Sequence, residues 1–187
     1  MFLSIVLCST VMHSTSFETT YSSFTRMDRQ KTYHSIAATP VSMKEVVAGE
    51  ILWGATKSLL PGGIMFITIA ILGLIESWQA VWLIPVLMIE AVLFSALGML
   101  MTSYAKDYDF FTYYITLFLE PMFLFSGTFF PLSSLPDLVQ RAAWILPLAH
   151  PVAIARNLFV GYPTTLPIAV SVAWLFLLAT FFSWWSI

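Results

Sequence analysis

Short polar segments separate long apolar runs along the whole chain. A helix needs about 20 apolar residues to cross the hydrocarbon core of a bilayer. We predict a membrane-spanning helix in each of the runs 1–17, 58–75, 78–104, 110–130 and 165–187, of which the first is short. The hydrophobicity pattern therefore predicts an all-α integral membrane protein with five visible spans.

The composition indicates the same class of protein. Hydrophobic residues make up 59% of the 187 residues, charged residues make up 10%, and the mean hydropathy is +0.85. A soluble domain of this length needs far more charged residues to cover its surface. The net charge of −2 argues against nucleic acid as a partner. The single Cys8 excludes an internal disulfide, and the three histidines show no metal-ligand spacing.

The basic residues indicate which ends of the spans face the cytoplasm. Five of them lie between the first two runs: Arg26, Arg29, Lys31, Lys44 and Lys57. Lys106 lies between the third and fourth runs. The positive-inside rule therefore places segment 26–57 and the turn 105–109 in the cytoplasm.

Both chain ends lie inside apolar sequence, and no basic residue follows the last run. The cytoplasmic end of a span normally carries Lys or Arg. We therefore expect the chain to be a fragment of a six-span protein that lacks the first helix and the tail.

The segment between the first two runs is predicted to be structured. Phe17, Tyr21 and Phe24 follow a helical period, so the first span is expected to continue as a helix into the cytoplasm. A short amphipathic element over 28–38 is expected to follow.

A break and a new helix start are predicted after that element. Proline disfavours helical backbone in the residue before it, so Thr39-Pro40 should end the element. Ser42 and Glu45 have the spacing of a capping box, so a helix is predicted to start there and run into the second span. The result is a compact cytoplasmic docking element; the alternative is an ordinary polar hairpin between two spans.

The outer end of the fourth run is irregular. The sequence FLFSGTFFPLSSLP over 123–136 predicts that the span stops at Ser126-Gly127-Thr128. Prolines then divide the apolar stretch up to residue 163 into two helices that are too short to span. Non-helical backbone at membrane depth is tolerated only inside protein or against a water-filled cavity. We therefore predict an external re-entrant or interfacial hairpin.

Two acidic residues interrupt the spans. Glu90 and Glu120 lie near mid-span, where a charged carboxylate costs several kcal/mol unless it is paired, hydrated or protonated. Either they face a pore or are linked to protons, or they are protonated or bonded to a neighbouring helix and have no role in transport. Ser126 and His150 allow a membrane serine protease, but no pattern around Ser126 resembles an intramembrane protease.

The sequence contains no nucleotide-binding loop of the form G-x-x-x-x-G-K-[ST]. A transporter built on this chain must therefore take its energy from another polypeptide. We expect no cofactor bound by this chain, with ATP and Mg²⁺ bound by the partner.

Three collinear segments carry a family resemblance. The motifs of the last segment are Phe125-Ser126-Gly127-Thr128, Phe130-Pro131-Leu132, Leu135-Pro136, Leu146-Pro147-Leu148-Ala149-His150, Arg156 and Gly161. Segment 16–53 is an aromatic-acidic helix followed by an Ala-Thr-Pro turn and a Lys-Glu helix start, and segment 95–111 joins two spans. Together these segments extend from residue 16 to residue 161. They resemble the ABC-2 type permeases, and most of all the nodulation J branch.

The resemblance implies six spans per protomer and a permease homodimer that works with two ATP-binding subunits. It also implies export of a lipid-linked saccharide, a polyketide or another amphiphile across the bacterial cytoplasmic (inner) membrane, with membrane lipid around a multi-pass protein. One transmembrane domain, 1–187, would then divide into a span with its extension (1–25), a coupling segment (26–57), three spans (58–130), an external re-entrant hairpin (131–163) and a last span (164–187).

The resemblance also implies roles for particular residues. The residues expected to couple to the ATP-binding subunit are Arg29, Lys31, Tyr33, Ile36, Thr39 and Pro40. The residues expected along the translocation path are Glu90, Glu120, Ser126 and Gly127, although the resemblance marks neither Glu90 nor Glu120. Two alternatives stay open: a truncated permease that does not transport, and a membrane-embedded enzyme that modifies lipid.

Overall fold

The structure is a computed structural model that describes residues 2–75, 78–128, 137–160 and 167–186. Within these residues the regular structure is entirely helical, so the predicted all-α class is confirmed. The α-helices are α1 (Phe2–Phe17), α2 (Thr32–Ala37), α3 (Met43–Ile71), α4 (Leu83–Tyr104), α5 (Asp109–Tyr114), α6 (Glu120–Phe123), α7 (Asp137–Ala143), α8 (Ala149–Val160) and α9 (Ile168–Ser186).

Two helical runs are longer than their α-helical parts because π-helical turns continue them. Beyond α1 the chain stays helical to Arg29, through turns at Glu18–Ser22 and Thr25–Arg29. We call residues 18–29 the α1 extension; its helical conformation confirms the prediction from the aromatic period. Likewise α5 and α6 are joined into one run over residues 109–128, the α5–α6 helix.

The end of the α5–α6 helix has an unpredicted conformation. Leu124–Thr128 is a π-helical turn, and Thr128 is the last residue of the helix that the structure describes. A π turn contains one more residue than an α-helical turn, and the backbone hydrogen bonding of the helix continues through it. The predicted stop of the span at Ser126-Gly127-Thr128 stays a prediction. The predicted proline breaks at Pro131 and Pro136 lie outside the described residues.

Among the described residues, three helices are long and apolar enough to cross a membrane: Met43–Ile71, Trp78–Tyr104 and Ile168–Ser186. These confirm three of the predicted spans by length and composition. The remaining two predicted spans fall on α1 and on the α5–α6 helix. The total of five spans stays a prediction.

The start of α3 is as predicted. Ser42 Oγ accepts a hydrogen bond from the Glu45 backbone N–H at 3.3 Å, and Glu45 Oε2 accepts one from the Ser42 N–H at 2.8 Å. The same hydrogen bonds from Ser42 hold the pKa of Glu45 below its usual value. The capping box fixes where the helix leaves the Thr39-Pro40 bend and enters the second span.

Helix α4 forms the centre of the bundle. Helices α1, α3, α8 and α9 all pack against it, and Leu93 and Phe94 are fully buried. The outer sides of α3 and α9 instead expose apolar side chains such as Ile67 and Phe176. Such charge-free surfaces suit contact with membrane lipid.

Two glycines allow the α1 extension to approach α3 and α4 closely. A Cβ placed on Gly98 or on Gly54 would overlap the side chain of Thr19. Thr102 Oγ1 on α4 donates to the Thr19 carbonyl at 2.7 Å. Small residues let helices in membranes pack at short distance, so Thr19 is a contact point for three helices.

Gly98→Ala is therefore expected to destabilise the protein by about 1–3 kcal/mol through overpacking, because the added methyl group must push α4 away from Thr19. The midpoint of thermal unfolding in detergent measures this loss. Gly63→Ala is the matched control, since a Cβ at Gly63 meets nothing within 4 Å. Equal midpoints for the two variants would show that the three helices are not packed in this way.

The described part of the predicted external hairpin contains α7 and α8. His150 near the start of α8 has its Nε2 atom 2.9 Å from the Trp144 carbonyl oxygen, which holds the turn between the two helices. Helix α8 packs against α1, α4, α9 and the turn Leu124–Thr128. Two short helices occur as predicted, but their re-entrant depth stays a prediction.

Candidate functional site

A cluster of polar side chains ties the α1 extension to α3. The Glu18 carboxylate accepts from Lys57 Nζ at 2.7 Å, from Trp53 Nε1 at 3.2 Å and from Ser22 Oγ at 3.1 Å. Burial raises the pKa of Glu18, but the Lys57 and Ser22 hydrogen bonds lower it more, so the net shift is downward. Glu18 is therefore an ionised anchor at the inner end of α1.

A second anchor lies further along the extension. Arg26 donates from Nε to Glu50 Oε1 at 3.0 Å and also contacts Glu50 Oε2 through Nη2. Ser23 Oγ donates to Glu50 Oε2 at 2.8 Å, and Arg26 Nη1 lies 3.6 Å from Glu18 Oε1. We call Glu18, Ser23, Arg26, Glu50, Trp53 and Lys57 the polar tether. A bidentate arginine–carboxylate contact restricts the relative orientation of the two side chains as well as the distance between them.

Aromatic rings hold the extension to the turn after α4. Phe24 packs edge-on against Tyr108 and Phe111, with ring centroids 5.0 and 5.3 Å apart, and Tyr21 lies 5.2 Å from Phe111. The hydroxyl groups of Thr25 and Tyr108 are 3.0 Å apart. The extension and the 105–108 turn therefore lie at the same end of the bundle, as the distribution of basic residues predicted.

The predicted coupling residues fall into two groups. Arg29, Lys31, Thr39 and Pro40 are exposed. Tyr33 is only 5% exposed and packs with Ile51, Ala96 and Met99, while Ile36 is half-buried. Lys31 adopts left-handed backbone, with φ 52°, and this turns the chain from the extension into α2. Tyr33 thus attaches α2 to the bundle, and the exposed residues form its outer edge.

The two mid-span acids have different surroundings. Glu90 on α4 is fully buried, with the Cys8 thiol of α1 beside it. Neither carboxylate oxygen of Glu90 makes a hydrogen bond of good geometry with any residue that the structure describes. The structure therefore places Glu90 between helices of one chain rather than on a face of the bundle.

Glu120 lies on the surface of the bundle. Its side chain is 47% exposed, and its Oε1 atom is 3.5 Å from His13 Nε2 on α1, whose side chain is 32% exposed. The Phe123 ring packs edge-on against the His13 ring, with centroids 5.9 Å apart. Sequence reasoning treated His13 as one of three scattered histidines. The missed signal was that His13 and Glu120 both lie within predicted apolar runs.

The other two predicted path residues lie near the outer end of the α5–α6 helix. Ser126 is buried, and its hydroxyl donates to the Met122 carbonyl at 2.6 Å. Gly127 belongs to the π-helical turn. The Ser126 hydroxyl is thus bonded within its own helix, which gives no support to a nucleophilic serine. Within the described residues, no group of three or more His, Cys, Asp and Glu side chains is placed to hold a metal ion.

Comparison with known proteins gives the family. The model of the ABC-2 type transporter family matches residues 2–160. The chain belongs to the ABC-2 type transporter family. This is a family of membrane transport proteins, not of enzymes, and the match confirms the resemblance read from the sequence motifs.

Curated relatives of this ABC-2 family chain include nodulation proteins and one transport permease. The chain is 37% identical to nodulation protein J of Sinorhizobium fredii over 84% of its own length and 60% of that protein. It is 40% identical to nodulation protein J of Bradyrhizobium diazoefficiens over 78% of its length and 55% of that protein. It is 28% identical to the inner membrane transport permease YadH of Escherichia coli over 89% and 65%.

The chain therefore spans about 60% of the length of the nodulation J proteins that it matches. No solved structure matches it.

Proposed function

We propose that this chain is permease sequence of an ABC-2 exporter of the bacterial inner membrane. It would move a lipid-linked saccharide or a similar amphiphile, driven by a separate ATP-binding subunit. Beyond family membership, the observation that carries the proposal is the cytoplasmic element over residues 18–40. Its outer edge is exposed and charged, and its inner side is anchored to α3 and to the 105–108 turn.

The anchoring suits the transmission of force. A partner that moves the exposed edge also moves α2, which this edge flanks; the edge consists of Arg29, Lys31, Thr39 and Pro40. Because Tyr33 of α2 is embedded in the bundle, the movement of α2 is passed on to the bundle. The polar tether then passes the displacement to α3, and the unbroken helical run from residue 2 to Arg29 passes it to α1. In this scheme ATP and Mg²⁺ act in the partner subunit, and the chain supplies the lever.

The path is proposed to run along the face that α1 and the α5–α6 helix form together. That face carries His13 and Glu120, both partly exposed, whereas α3 and α9 expose apolar side chains. Charged groups at mid-membrane face protein or a water-filled cavity rather than lipid. A second permease copy would close the path on its other side. Glu90 has a structural role in this scheme, and Ser126 and Gly127 lie at the outer end of the helix.

Site-specific cross-linking tests the coupling element. In a Cys8→Ser background, Lys31→Cys and Thr39→Cys are expected to form cross-links to a co-expressed ATP-binding subunit from a neighbouring reading frame, because both positions are exposed on the outer edge. Ile67→Cys, which is exposed on the apolar side of α3, is the control and should give none.

The result separates the candidate functions. If neither Lys31→Cys nor Thr39→Cys is cross-linked, the proposed coupling role is wrong. If both are cross-linked but the complex exports nothing, the chain is a permease sequence that binds its partner without transporting.

A further inference from the structure

The contact between His13 and Glu120 joins two helices within the apolar part of the bundle. His13 Nε2 and Glu120 Oε1 are 3.5 Å apart, and both side chains are partly open to the surface. A carboxylate in such a position is costly unless a positive charge or water compensates for it. The source of that positive charge therefore decides what this pair of residues can bind.

Hydrogen bonding fixes the tautomer of His13. Its Nδ1 atom lies 2.9 Å from the Ser9 carbonyl oxygen. A carbonyl oxygen only accepts hydrogen bonds, so Nδ1 must carry the hydrogen atom. In a neutral imidazole the Nε2 atom is then an acceptor, and it faces a carboxylate oxygen that is also an acceptor. The two atoms attract each other only if one further proton is present.

That proton makes the pair neutral in either of two arrangements. An imidazolium can donate from Nε2 to the Glu120 carboxylate, or a protonated Glu120 can donate to a neutral His13. Both arrangements have zero net charge, and loss of the proton leaves a net charge of −1. A positive charge bound at the pair therefore compensates a carboxylate that lies within an apolar run.

Among the residues that the structure describes, no ion pair joins His13 or Glu120 to a further charged group. Glu18 of the α1 extension is bonded to Lys57 of α3. Glu90 of α4 lies beside Cys8, and Arg156 of α8 lies close to the same thiol. Cys8 and Glu18 are each five residues from His13, about 7.5 Å along the helix axis in opposite directions. The positive charge that compensates Glu120 must therefore come from a proton or a ligand bound between the two side chains.

We propose that His13 and Glu120 form a binding site for one positive charge: a proton when no substrate is present, and a primary ammonium group of an amphiphile when one enters. The ammonium N–H groups would donate to the Glu120 carboxylate and to His13 Nε2. The displaced proton would leave to water, so the site keeps zero net charge. This proposal depends on the proposed function in one respect only: that the face carrying His13 and Glu120 is the translocation path.

Nitrogen-15 NMR of labelled histidine tests the site directly, using the full chain in phosphatidylcholine nanodiscs without an ATP-binding subunit. The chain has three histidines, and His13→Gln assigns the signals of His13. His13 is expected to be protonated at Nδ1. His150 serves as an internal control of the opposite tautomer, because its Nε2 atom faces the Trp144 carbonyl.

Decylammonium is the probe, and uncharged decyl glucoside is its control. Decylammonium is expected to shift the His13 Nε2 signal and leave that of His150 unchanged, whereas decyl glucoside shifts neither. Glu120→Gln keeps the size of the side chain but removes its charge, and should weaken the response by about tenfold or more, equivalent to 1.4 kcal/mol. Asp109→Asn, at the start of the same helical run, should respond like the wild type.

Three results would overturn the proposal: a His13 ring without a hydrogen atom on Nδ1, an undiminished response in Glu120→Gln, or an equal response to decyl glucoside. The outcome is independent of the cross-linking experiment on the coupling element. A chain that binds decylammonium but is never cross-linked to an ATP-binding subunit retains the cation site and loses only the proposed transport function. If the chain is cross-linked to an ATP-binding subunit but does not bind decylammonium, the cation site is wrong and the permease assignment stands.

Discussion

Arg26→Ala is expected to loosen the α1 extension from α3, so that amide hydrogen exchange over residues 18–29 becomes about tenfold faster or more. The variant loses the contacts of Arg26 with Glu50 and Glu18, and leaves the Glu50 carboxylate without its arginine. Losing hydrogen bonds between charged groups costs about 1–3 kcal/mol, toward the lower end here because Arg26 keeps some contact with solvent. Exchange measured by mass spectrometry in nanodiscs reports the change segment by segment.

Arg29→Ala is the matched control for this experiment. Arg29 is an arginine of the same helical run, but its ion pair with Asp28 is long, at 3.8 Å, and both side chains are largely exposed. Exposed pairs of this kind contribute little to stability, so exchange should stay at the wild-type rate. In the double variant Arg26→Ala with Glu50→Ala the effects should be less than additive, because both changes remove one interaction. Additive effects would show that Arg26 and Glu50 act separately.

Glu120→Gln is expected to reduce export by about tenfold, equivalent to 1.4 kcal/mol, without reducing insertion into the membrane. The substitution removes the carboxylate that faces His13 on the proposed path and keeps the shape of the side chain. Export can be measured without knowing the substrate, by mass spectrometry of the amphiphiles that a host strain releases only when the wild-type chain is present. Insertion is measured as the amount of chain in the membrane fraction.

Asp109→Asn separates a local effect of Glu120 from a general effect of removing an acid from the α5–α6 helix. Asp109 is exposed in the first turn of that helix, 11 residues or about 16 Å along the axis from Glu120, so export should be unchanged. If Glu120→Gln exports at the wild-type rate, Glu120 is not part of the path. If instead it fails to insert, the acid is needed for assembly rather than for transport.

Local sequence signals predicted much of the backbone. The capping box at Ser42 and Glu45, the Thr39-Pro40 bend and the aromatic period beyond Phe17 depend on residues close together in the chain, and the structure reproduces them. The sequence predicted a stop of the span at Ser126-Gly127-Thr128 but not the π-helical turn over Leu124–Thr128. A π turn changes the hydrogen-bond register within a helix, and no local sequence pattern marked it here.

The candidate site was predictable only in part. Arg26 and Lys57 were recognised as basic residues of a cytoplasmic segment, but their partners Glu50 and Glu18 lie 24 and 39 residues away from them in sequence. Tyr33 was predicted to contact a partner, yet it is buried in the bundle. Which side of a short helix faces the protein depends on what it packs against, and that information lies in other segments.

The sequence by itself determined that this is an apolar, helical membrane protein of the ABC-2 family, and where helix α3 starts, because these properties follow from composition, motifs and neighbouring residues. Only the tertiary structure decided that Glu90 is enclosed, that Glu120 meets His13 and that Thr19 fits between two glycines. Membrane helices are apolar on nearly every side, so the hydrophobicity pattern leaves their rotation about the axis undefined. Close packing and polar contacts between helices fix that rotation instead.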